Sequence, residues 1–162
     1  MGKKFILTDK FVINSFGIKL FQIKCTKSFK YAQKGDFGGY VEKEGNLDQE
    51  NDAWVFGNAR VFGNARVSGD AWVSGNAWVS GDADIENDNE HCGFDGFGSC
   101  NRHTHAYMTK EKKVEIICGC FRGSIEEFEK KVEETHSGTV YEKQYKSIIN
   151  VIKIKFGLTD FT

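Results

Sequence analysis

The sequence has no run of about 18 apolar residues, which excludes a membrane-spanning helix of ordinary length. The apolar stretch near its start, Phe5-Ile6-Leu7, is too short for a secretory signal. We therefore expect a cytoplasmic protein. In that compartment the five cysteines are predicted to be reduced thiols, because a disulfide framework belongs to oxidising environments.

Net charge is also nearly absent, at −1 for 162 residues, and we expect neither duplex DNA nor a membrane among the partners. The charge is nevertheless uneven. Residues 1–34 carry eight Lys against one Asp, residues 35–101 carry three basic residues against thirteen acidic ones, and the remainder carries eleven against nine. The commonest meaning of such an asymmetry is a solvated Lys-rich surface.

What the sequence does contain is a repeat of six residues. Residues 57–82 read GNARVF-GNARVS-GDAWVS-GNAWVS-GD, in which Gly is followed by Asn or Asp, then by Ala, and two positions later by Val. An amphipathic helix is excluded, because apolar residues at a period of six leave no helical stripe. We predict about eight hexads without an insertion, whose first column is Gly39, Gly45, Asn51, Gly57, Gly63, Gly69, Gly75, Gly81 and Asn87.

Two further columns of the repeat are small or β-branched. They lie two residues apart, so on an extended segment they point to the same side, which we predict to be the core. The Gly-Asn and Gly-Asp pairs between hexads tolerate positive φ and supply the corners. The columns are Ala53, Ala59, Ala65, Ala71, Ala77 and Ala83, and Val55, Val61, Val67, Val73, Val79 and Ile85.

Three hexads would close one coil of about 18 residues, so residues 18 apart should stack in adjacent coils. The outward residues are chemically matched at this spacing. They form an aromatic pair, a cation–π pair and an ion pair, namely Trp54 over Trp72, Arg60 over Trp78, and Arg66 over Asp84.

This repeat resembles the hexapeptide signature of left-handed parallel β-helix proteins, a family that is mostly homotrimeric and contains many acyltransferases. The flanking stretches KGDFGGYVE (34–42) and CGCFRGSIEEF (118–128) are similar to uncharacterised hexapeptide-repeat proteins of phages and prophages. The resemblance implies a mainly β fold with a short left-handed parallel β-helix over residues 39–88, a homotrimer, and a location in the cytoplasm of a host cell.

The segments on either side of the repeat are predicted to form separate modules. Residues 1–38 read as an N-terminal β-hairpin cap, with strands at 11–13 and 18–25 around a turn at 14–17. Residues 89–102 read as a Gly-rich connector. Residues 103–162 read as a ββαα module, whose helices open at the capping boxes Ser124–Glu127 and Thr139–Glu142 and end near 136–138 and at Gly157.

The sequence offers little catalytic chemistry, and we predict no catalytic residue, cofactor or metal. The repeat has no His and no inserted loop, which hexapeptide acyltransferases use to place their base. An unrecognised base could come only from His103, His105 or His136. A cluster of possible metal donors fits no standard zinc spacing, so we interpret it as ordinary thiols and a half-exposed His face: His91, Cys92, Cys100, His103 and His105, with Cys118 and Cys120 nearby.

The remaining candidates for ligand binding lie on the repeat and after it. Five outward residues form what we call the Trp/Arg stripe: Trp54, Arg60, Arg66, Trp72 and Trp78. They either brace successive coils or form the trimer contact, or they recognise a ligand. Trp faces stack on bases and Arg pairs with phosphate, so a nucleotide is the ligand class they suit. The Gly-rich turn at 98–102 adds the candidates Ser99, Asn101 and Arg102, and the strand after it adds His103 and His105.

Three classes of function follow. The first is a non-enzymatic phage-type binding protein that acts stoichiometrically on the host, by sequestering an anionic nucleotide signal or by occluding a host defence protein. The second is an acyltransferase-like enzyme. The third is a structural trimer of the virion or prophage that has no ligand.

Overall fold

A computed structural model describes residues 2–159 of the chain. It divides into two compact units, Met1–Asp88 and Asn89–Thr162. Each unit has its own sheet system and its own core. Across residues 2–159, no helix is long and apolar enough to cross a membrane.

The first unit consists of strands. Three strands precede the repeat, and six two-residue strands follow within it. They are β1 (Phe5–Ile13), β2 (Lys19–Cys25), β3 (Phe37–Val41), β4 (Trp54–Val55), β5 (Arg60–Val61), β6 (Arg66–Val67), β7 (Trp72–Val73), β8 (Trp78–Val79) and β9 (Asp84–Ile85).

Strands β3 to β9 form what we call the parallel stack. Within it β4 pairs with β7, β5 with β8, and β6 with β9, each pair parallel and each 18 residues apart in sequence. The three pairs belong to three separate sheets. Consecutive hexads therefore lie on different faces of the stack, and only every third hexad shares a face.

The Ala and Val columns form the interior of the stack, as predicted. All twelve side chains are at most 1% exposed. The corners are made by Gly57, Gly63, Gly69, Gly75 and Gly81, whose φ values of 56–67° lie in the left-handed region. Glycine reaches this region without the steric cost that a Cβ brings, which explains the Gly column.

The prediction of an unbroken phase is wrong before Ala53. Strand β3 pairs with β5 so that Val41 lies opposite Val61, and Leu47 lies opposite Val67. Both spacings are 20 residues rather than 18, so two extra residues lie between Leu47 and Ala53. Gly39 is consequently a buried residue of β3 and not a corner.

The extra residues serve to hold the N-terminal strand. The Gln49 side-chain oxygen accepts hydrogen bonds from the backbone N–H groups of Lys4 (2.8 Å) and Phe5 (3.1 Å), and its amide donates to the Phe5 carbonyl (3.1 Å). The Lys4 ammonium donates to the carbonyls of Asn51 (2.6 Å) and Ala53 (2.7 Å). A local insertion thus gives the first strand its binding site on the stack.

The N-terminal hairpin is confirmed, with a longer first strand than predicted. Strands β1 and β2 pair antiparallel, and β2 pairs antiparallel with β3, so the sheet order is β1-β2-β3-β5-β8. The hairpin therefore continues one face of the parallel stack as antiparallel strands.

The second unit is a four-stranded antiparallel sheet followed by two helices. The elements are β10 (His91–Phe97), β11 (Arg102–Met108), β12 (Val114–Cys118), β13 (Phe121–Ser124), α1 (Ile125–His136) and α2 (Val140–Lys155), and the sheet order is β10-β11-β12-β13. Side chains of both helices and of one sheet face share a core that includes Ala106, Ile116, Phe128, Ile149 and Ile152.

Both helices begin at the predicted caps. The Ser124 hydroxyl accepts from the Glu127 N–H (3.1 Å), and the Thr139 hydroxyl accepts from the Glu142 N–H (3.4 Å). These bonds satisfy donors that have no partner inside the helix. Helix α1 ends at His136, and Gly157 follows the end of α2 with a φ of 69°.

The predicted connector at 89–102 is wrong for half of its length, because residues 91–97 form strand β10. Cys92 and Phe94 pack against the core of the unit, which gives the segment an apolar side despite its glycines. Gly96 lies where the register with β11 shifts and has a φ of 84°. Strand β13 was also not predicted, so the sheet has four strands instead of two.

Candidate ligand-binding site

The Trp/Arg stripe does not exist as one surface. Trp54 and Trp72 lie on one face of the parallel stack, Arg60 and Trp78 on a second, and Arg66 on a third. The predicted stripe is wrong because residues six apart in the repeat occupy successive faces of the parallel stack. No single ligand can contact all five side chains.

Trp54 points away from the Ala and Val columns but is only 1% exposed. Its ring is covered by Phe5 (centroids 6.2 Å apart) and by Phe29 (5.3 Å), both in edge-on contacts. Trp54 is therefore an anchor for the N-terminal segment and is not available to a ligand.

The other members of the stripe brace the stack. Arg60 lies over the Trp78 ring, with its guanidinium carbon 5.4 Å from the centroid, which confirms the predicted cation–π pair. Arg66 lies opposite Asp84 in register but forms an ion pair with Asp48, at 4.0 Å. These contacts use side chains within the first unit and favour the bracing interpretation.

Trp72 is the most exposed tryptophan, at 42%. Its ring stacks on Phe56, with centroids 4.0 Å apart and an angle of 19° between the planes. Tyr31 contacts it edge-on at 4.9 Å, and the Tyr31 hydroxyl donates to the Asp70 carbonyl. Trp72 thus belongs to a surface aromatic cluster that holds the loop between β2 and β3.

A cleft of about 470 Å³ lies in the second unit. Its walls come from the sheet, from both helices and from the β12–β13 turn. The residues that line it are Arg102, Cys118, Cys120, Phe121, Arg122, Phe128, Lys131, Val132, Thr135, His136 and Tyr145. Basic and aromatic side chains predominate, and no carboxylate is among these described lining residues.

Arg102 is the one predicted ligand-binding candidate among the residues that line this cleft. It begins β11, next to the two-residue turn between β12 and β13. A Cβ on Gly119 in that turn would lie 2.2 Å from the Arg102 guanidinium, and Gly119 has a φ of 59°. The glycine therefore leaves the space that the Arg102 side chain occupies.

Tyr145 presents a neutral phenol to the cleft. Burial, with a further contribution from the Cys118 thiol, raises the pKa of Tyr145. The Tyr145 hydroxyl lies 3.8 Å from the Cys118 sulfur, which accepts a hydrogen bond from Thr104 at 3.3 Å. Because the phenol keeps its proton, it can donate a hydrogen bond to an acceptor in the cleft.

Aromatic rings and cations share the walls of the cleft. His136 stacks on Tyr145 (5.5 Å, 28°), and Phe121 packs against Phe128 (5.1 Å). The Arg122 guanidinium lies 3.7 Å from Glu115, so part of its charge is already balanced. Arg102 and Lys131 are therefore the side chains in the lining that can offer positive charge to a ligand.

Ser99 and Asn101 are not among the residues that line the cleft. Both belong to the β10–β11 turn, where the Ser99 hydroxyl lies 3.8 Å from the Cys100 sulfur. Asn101 has a φ of 49° and donates its N–H to the Gly98 carbonyl. Their geometry is explained by the turn itself.

His103 and His105 lie on the opposite side of the sheet from the cleft. They alternate along β11 with Thr104 and Ala106, and Ala106 packs in the core beneath the helices. His103 contacts Asp95 and His105, and His105 contacts His91. His105 uses a different ring nitrogen for each neighbour, so the three rings do not converge on one point where a metal could sit. Within residues 2–159, no group of three or more His, Cys, Asp and Glu side chains is arranged to hold a metal ion.

Of the cleft residues, the sequence predicts only Arg102 as a ligand contact, whereas His136 is predicted as a candidate base and Cys118 and Cys120 as ordinary thiols. Lys131 and Thr135 lie within the first predicted helix, where no sequence signal marks them as ligand contacts. The available signal was the position of Lys131 and His136 on α1 beside the buried Phe128 and Val132. Only the unpredicted strand β13 completes the wall opposite them.

The parallel stack is a β-solenoid, and the comparisons with known proteins agree. The model of the YdcK beta solenoid repeat family matches three overlapping stretches, residues 53–69, 59–75 and 65–81. These matches lie within residues 53–81, less than half of the chain, so they support the repeat architecture without extending to the second unit. No curated protein matches the chain.

Proposed function

We propose that this protein is a non-enzymatic binding protein that holds a small anionic ligand, a nucleotide, in the cleft of its second unit. The observation that supports this proposal is the cleft lining, where Arg102, Lys131 and His136 stand among aromatic rings without an acidic side chain. A cleft of about 470 Å³ also lies within the usual size range of small-molecule sites.

Each part of a nucleotide would meet a suitable group. Arg102 and Lys131 offer charge-assisted hydrogen bonds to phosphate oxygens, which are stronger than bonds between neutral groups. The rings of Phe121 and His136 offer flat surfaces to a base. The neutral Tyr145 phenol offers one further donor.

The wider proposal concerns the whole assembly. The sequence resemblance supports a phage-type protein of the host cytoplasm, with a left-handed solenoid of about 18 residues per coil that assembles as a homotrimer. In that setting, stoichiometric capture of a nucleotide signal would counter a host defence that depends on the signal. The alternative, which needs no small ligand, is that the protein counters the defence by occluding a host defence protein.

Titration calorimetry against a panel of cyclic and linear nucleotides tests the proposal. Arg102→Gln and Lys131→Gln should each lower the affinity about ten- to a hundredfold, since a charge-assisted hydrogen bond contributes about 1.5–3 kcal/mol. Lys130→Gln is the matched control, because Lys130 is exposed on the same helix and does not line the cleft. An equal loss in the control, or no binding by the parent protein to any nucleotide, would contradict the proposal.

The acyltransferase-like enzyme is the weaker candidate. Both ring nitrogens of His103 and of His105 are engaged with neighbouring side chains, so neither ring offers a nitrogen to a substrate. His136 alone of the three candidate bases lines the cleft. Native mass spectrometry of freshly purified protein distinguishes the classes. A retained ligand supports binding, turnover of an acyl donor supports the enzyme, and neither supports the structural trimer.

A further inference from the structure

The loop between β2 and β3, with the residues at its base, is rich in lysine. Residues 24–37, which we call the lysine loop, contain four Lys and one Asp, a net charge of +3. Within residues 2–159, Lys24, Lys27 and Lys34 are in no ion pair. The Asp36 carboxylate accepts a backbone hydrogen bond inside the loop. The lysine loop belongs to the first unit and does not depend on the proposed function.

Hydrogen bonds hold the two segments of the lysine loop together. The Cys25 N–H donates to the Asp36 carbonyl at 2.7 Å. Further along the loop, the Lys34 N–H donates to the Ser28 hydroxyl at 2.8 Å. Lys27, which precedes Ser28, therefore belongs to a segment that lies beside Lys34. The loop thus offers its charges from an ordered backbone, which lowers the entropy lost when a partner binds.

Phe37 is an exposed ring at the base of the lysine loop. At 60% exposure it is the most exposed Phe or Trp side chain of residues 2–159. It lies opposite Lys24 in the β2–β3 register, and the Lys24 Nζ is 5.5 Å from the centre of its ring. Ile6, which is 42% exposed, lies opposite Lys24 in the β1–β2 register. Directly paired residues point to the same side of a sheet, so an apolar surface lies beside positive charge that no carboxylate balances.

The other end of the lysine loop is less suited to an anion. Lys30 lies over the Tyr31 ring at 5.1 Å, and Tyr31 contacts Trp72. Acidic residues flank this aromatic cluster. Asp88 accepts a hydrogen bond from the Trp72 N–H at 2.7 Å, and the Tyr31 hydroxyl donates to the carbonyl of the exposed Asp70. The surface that suits an anion is therefore the base of the loop and not its Trp72 end.

We propose that the base of the lysine loop binds single-stranded nucleic acid. Phosphates of the strand pair with Lys24, Lys27 and Lys34, and one unpaired base stacks on Phe37. A duplex keeps its bases stacked on one another, so it can use the lysines but not the ring. An acidic protein would use the same charges and has no base to place on Phe37.

Fluorescence anisotropy of the whole protein with a labelled oligothymidylate of about 12 nucleotides tests the charge contribution. The slope of log affinity against log salt concentration should be about −2, since each neutralised phosphate of a single strand contributes about −0.7. Lys27→Gln and Lys34→Gln should each make the slope shallower by about 0.7. Lys19→Gln is the matched control and should leave the slope unchanged, because Lys19 is exposed on the opposite face of β2 from Lys24.

Phe37→Ala tests the stacking contribution. It should lower the affinity for the oligothymidylate about five- to a hundredfold and leave the salt slope unchanged. The affinity for a duplex of the same length should not change. Because the ring is exposed, the melting temperature should stay close to that of the parent protein. Arg102→Gln should leave oligothymidylate binding unaltered, which distinguishes this surface from the nucleotide site proposed in the cleft.

Five results would each overturn the proposal. They are no binding of the oligothymidylate by the parent protein at low salt, a loss in Lys19→Gln equal to that in Lys27→Gln, a loss in Arg102→Gln equal to that in Lys27→Gln, an equal effect of Phe37→Ala on single strand and duplex, and tighter binding to a polyglutamate peptide of the same length. The last result would indicate an acidic protein as the partner.

Discussion

The two units of this protein use their polar and aromatic side chains in opposite ways. In the parallel stack, outward residues such as Arg60, Arg66 and Trp72 are engaged with neighbours of the same unit. In the second unit, Arg102 and Lys131 face a cleft. A regular repeat distributes equivalent residues over several faces, whereas an irregular sheet with helices can bring different groups to one place.

The largest loss of stability is expected from a charge placed in the core of the parallel stack. Val67→Asp places a carboxylate at a position that is 0% exposed among apolar side chains, and this should destabilise the first unit by several kcal/mol. Circular dichroism melts measure the loss. The matched control is Asn64→Asp at an exposed corner, where other hexads already have Asp. Equal melting temperatures for the two variants would contradict the inward position of the Val column.

A smaller effect concerns the attachment of the first strand and depends on pH. Burial lowers the pKa of Lys4 to about 8, below its ordinary value of 10.5. Between these values the unfolded chain holds a proton that the folded chain has released, so the free energy of unfolding should rise with pH across this window. The expected gain is roughly 2 kcal/mol, allowing for partial relaxation.

The comparison with Lys4→Met isolates this contribution. The methionine variant cannot donate to the Asn51 and Ala53 carbonyls and should be less stable than the parent at neutral pH. Its stability should lack the rise between pH 8 and 10.5, as measured by urea unfolding at several pH values. A parallel pH dependence in both proteins would show that Lys4 keeps an ordinary pKa.

The smallest expected effect is a loss of stability in Arg60→Gln, which tests whether Arg60 braces the stack or binds a ligand. Arg60→Gln removes the cation–π contact with Trp78 and should lower the stability by about 0.5–1 kcal/mol. Nucleotide affinity should not change, because Arg60 does not line the cleft. Thermal melts and calorimetry of the same preparation measure both quantities, and Arg66→Gln should behave alike. A tenfold loss of affinity in either variant would indicate that the ligand binds to the parallel stack and not in the cleft.

The core of the stack could be predicted because it depends on local periodicity. The Ala and Val columns recur every six residues, and such a pattern fixes which side chains face inward. The phase before Ala53 could not be predicted in the same way, because the insertion is justified only by the contacts of Gln49 with a strand 44 residues away. Trp54 likewise points outward by its position in the repeat and is buried only by Phe5 and Phe29.

In the second unit, the elements that depend on neighbouring residues could be predicted from the sequence. The elements that depend on contacts between distant residues could not. The helix caps at Ser124 and Thr139 depend on residues three positions away, and both are correct. Strand β10 could not be predicted in this way, because it contains glycines and is stabilised by its pairing with β11. The cleft depends on five elements meeting, so a single residue such as Arg102 could be noted but its neighbours could not.

The attachment of β1 by Gln49 and Lys4 has a consequence for the order of events during synthesis. Its docking partners lie about 45 residues later in the chain, so the ribosome must release residues 49–53 before the strand can dock. The hairpin of β1 and β2 is local and can close much earlier. Until the first turn of the solenoid emerges, the β1–β2 hairpin therefore lacks Trp54, against which Phe5 packs, and we expect aggregation during synthesis mainly in that interval.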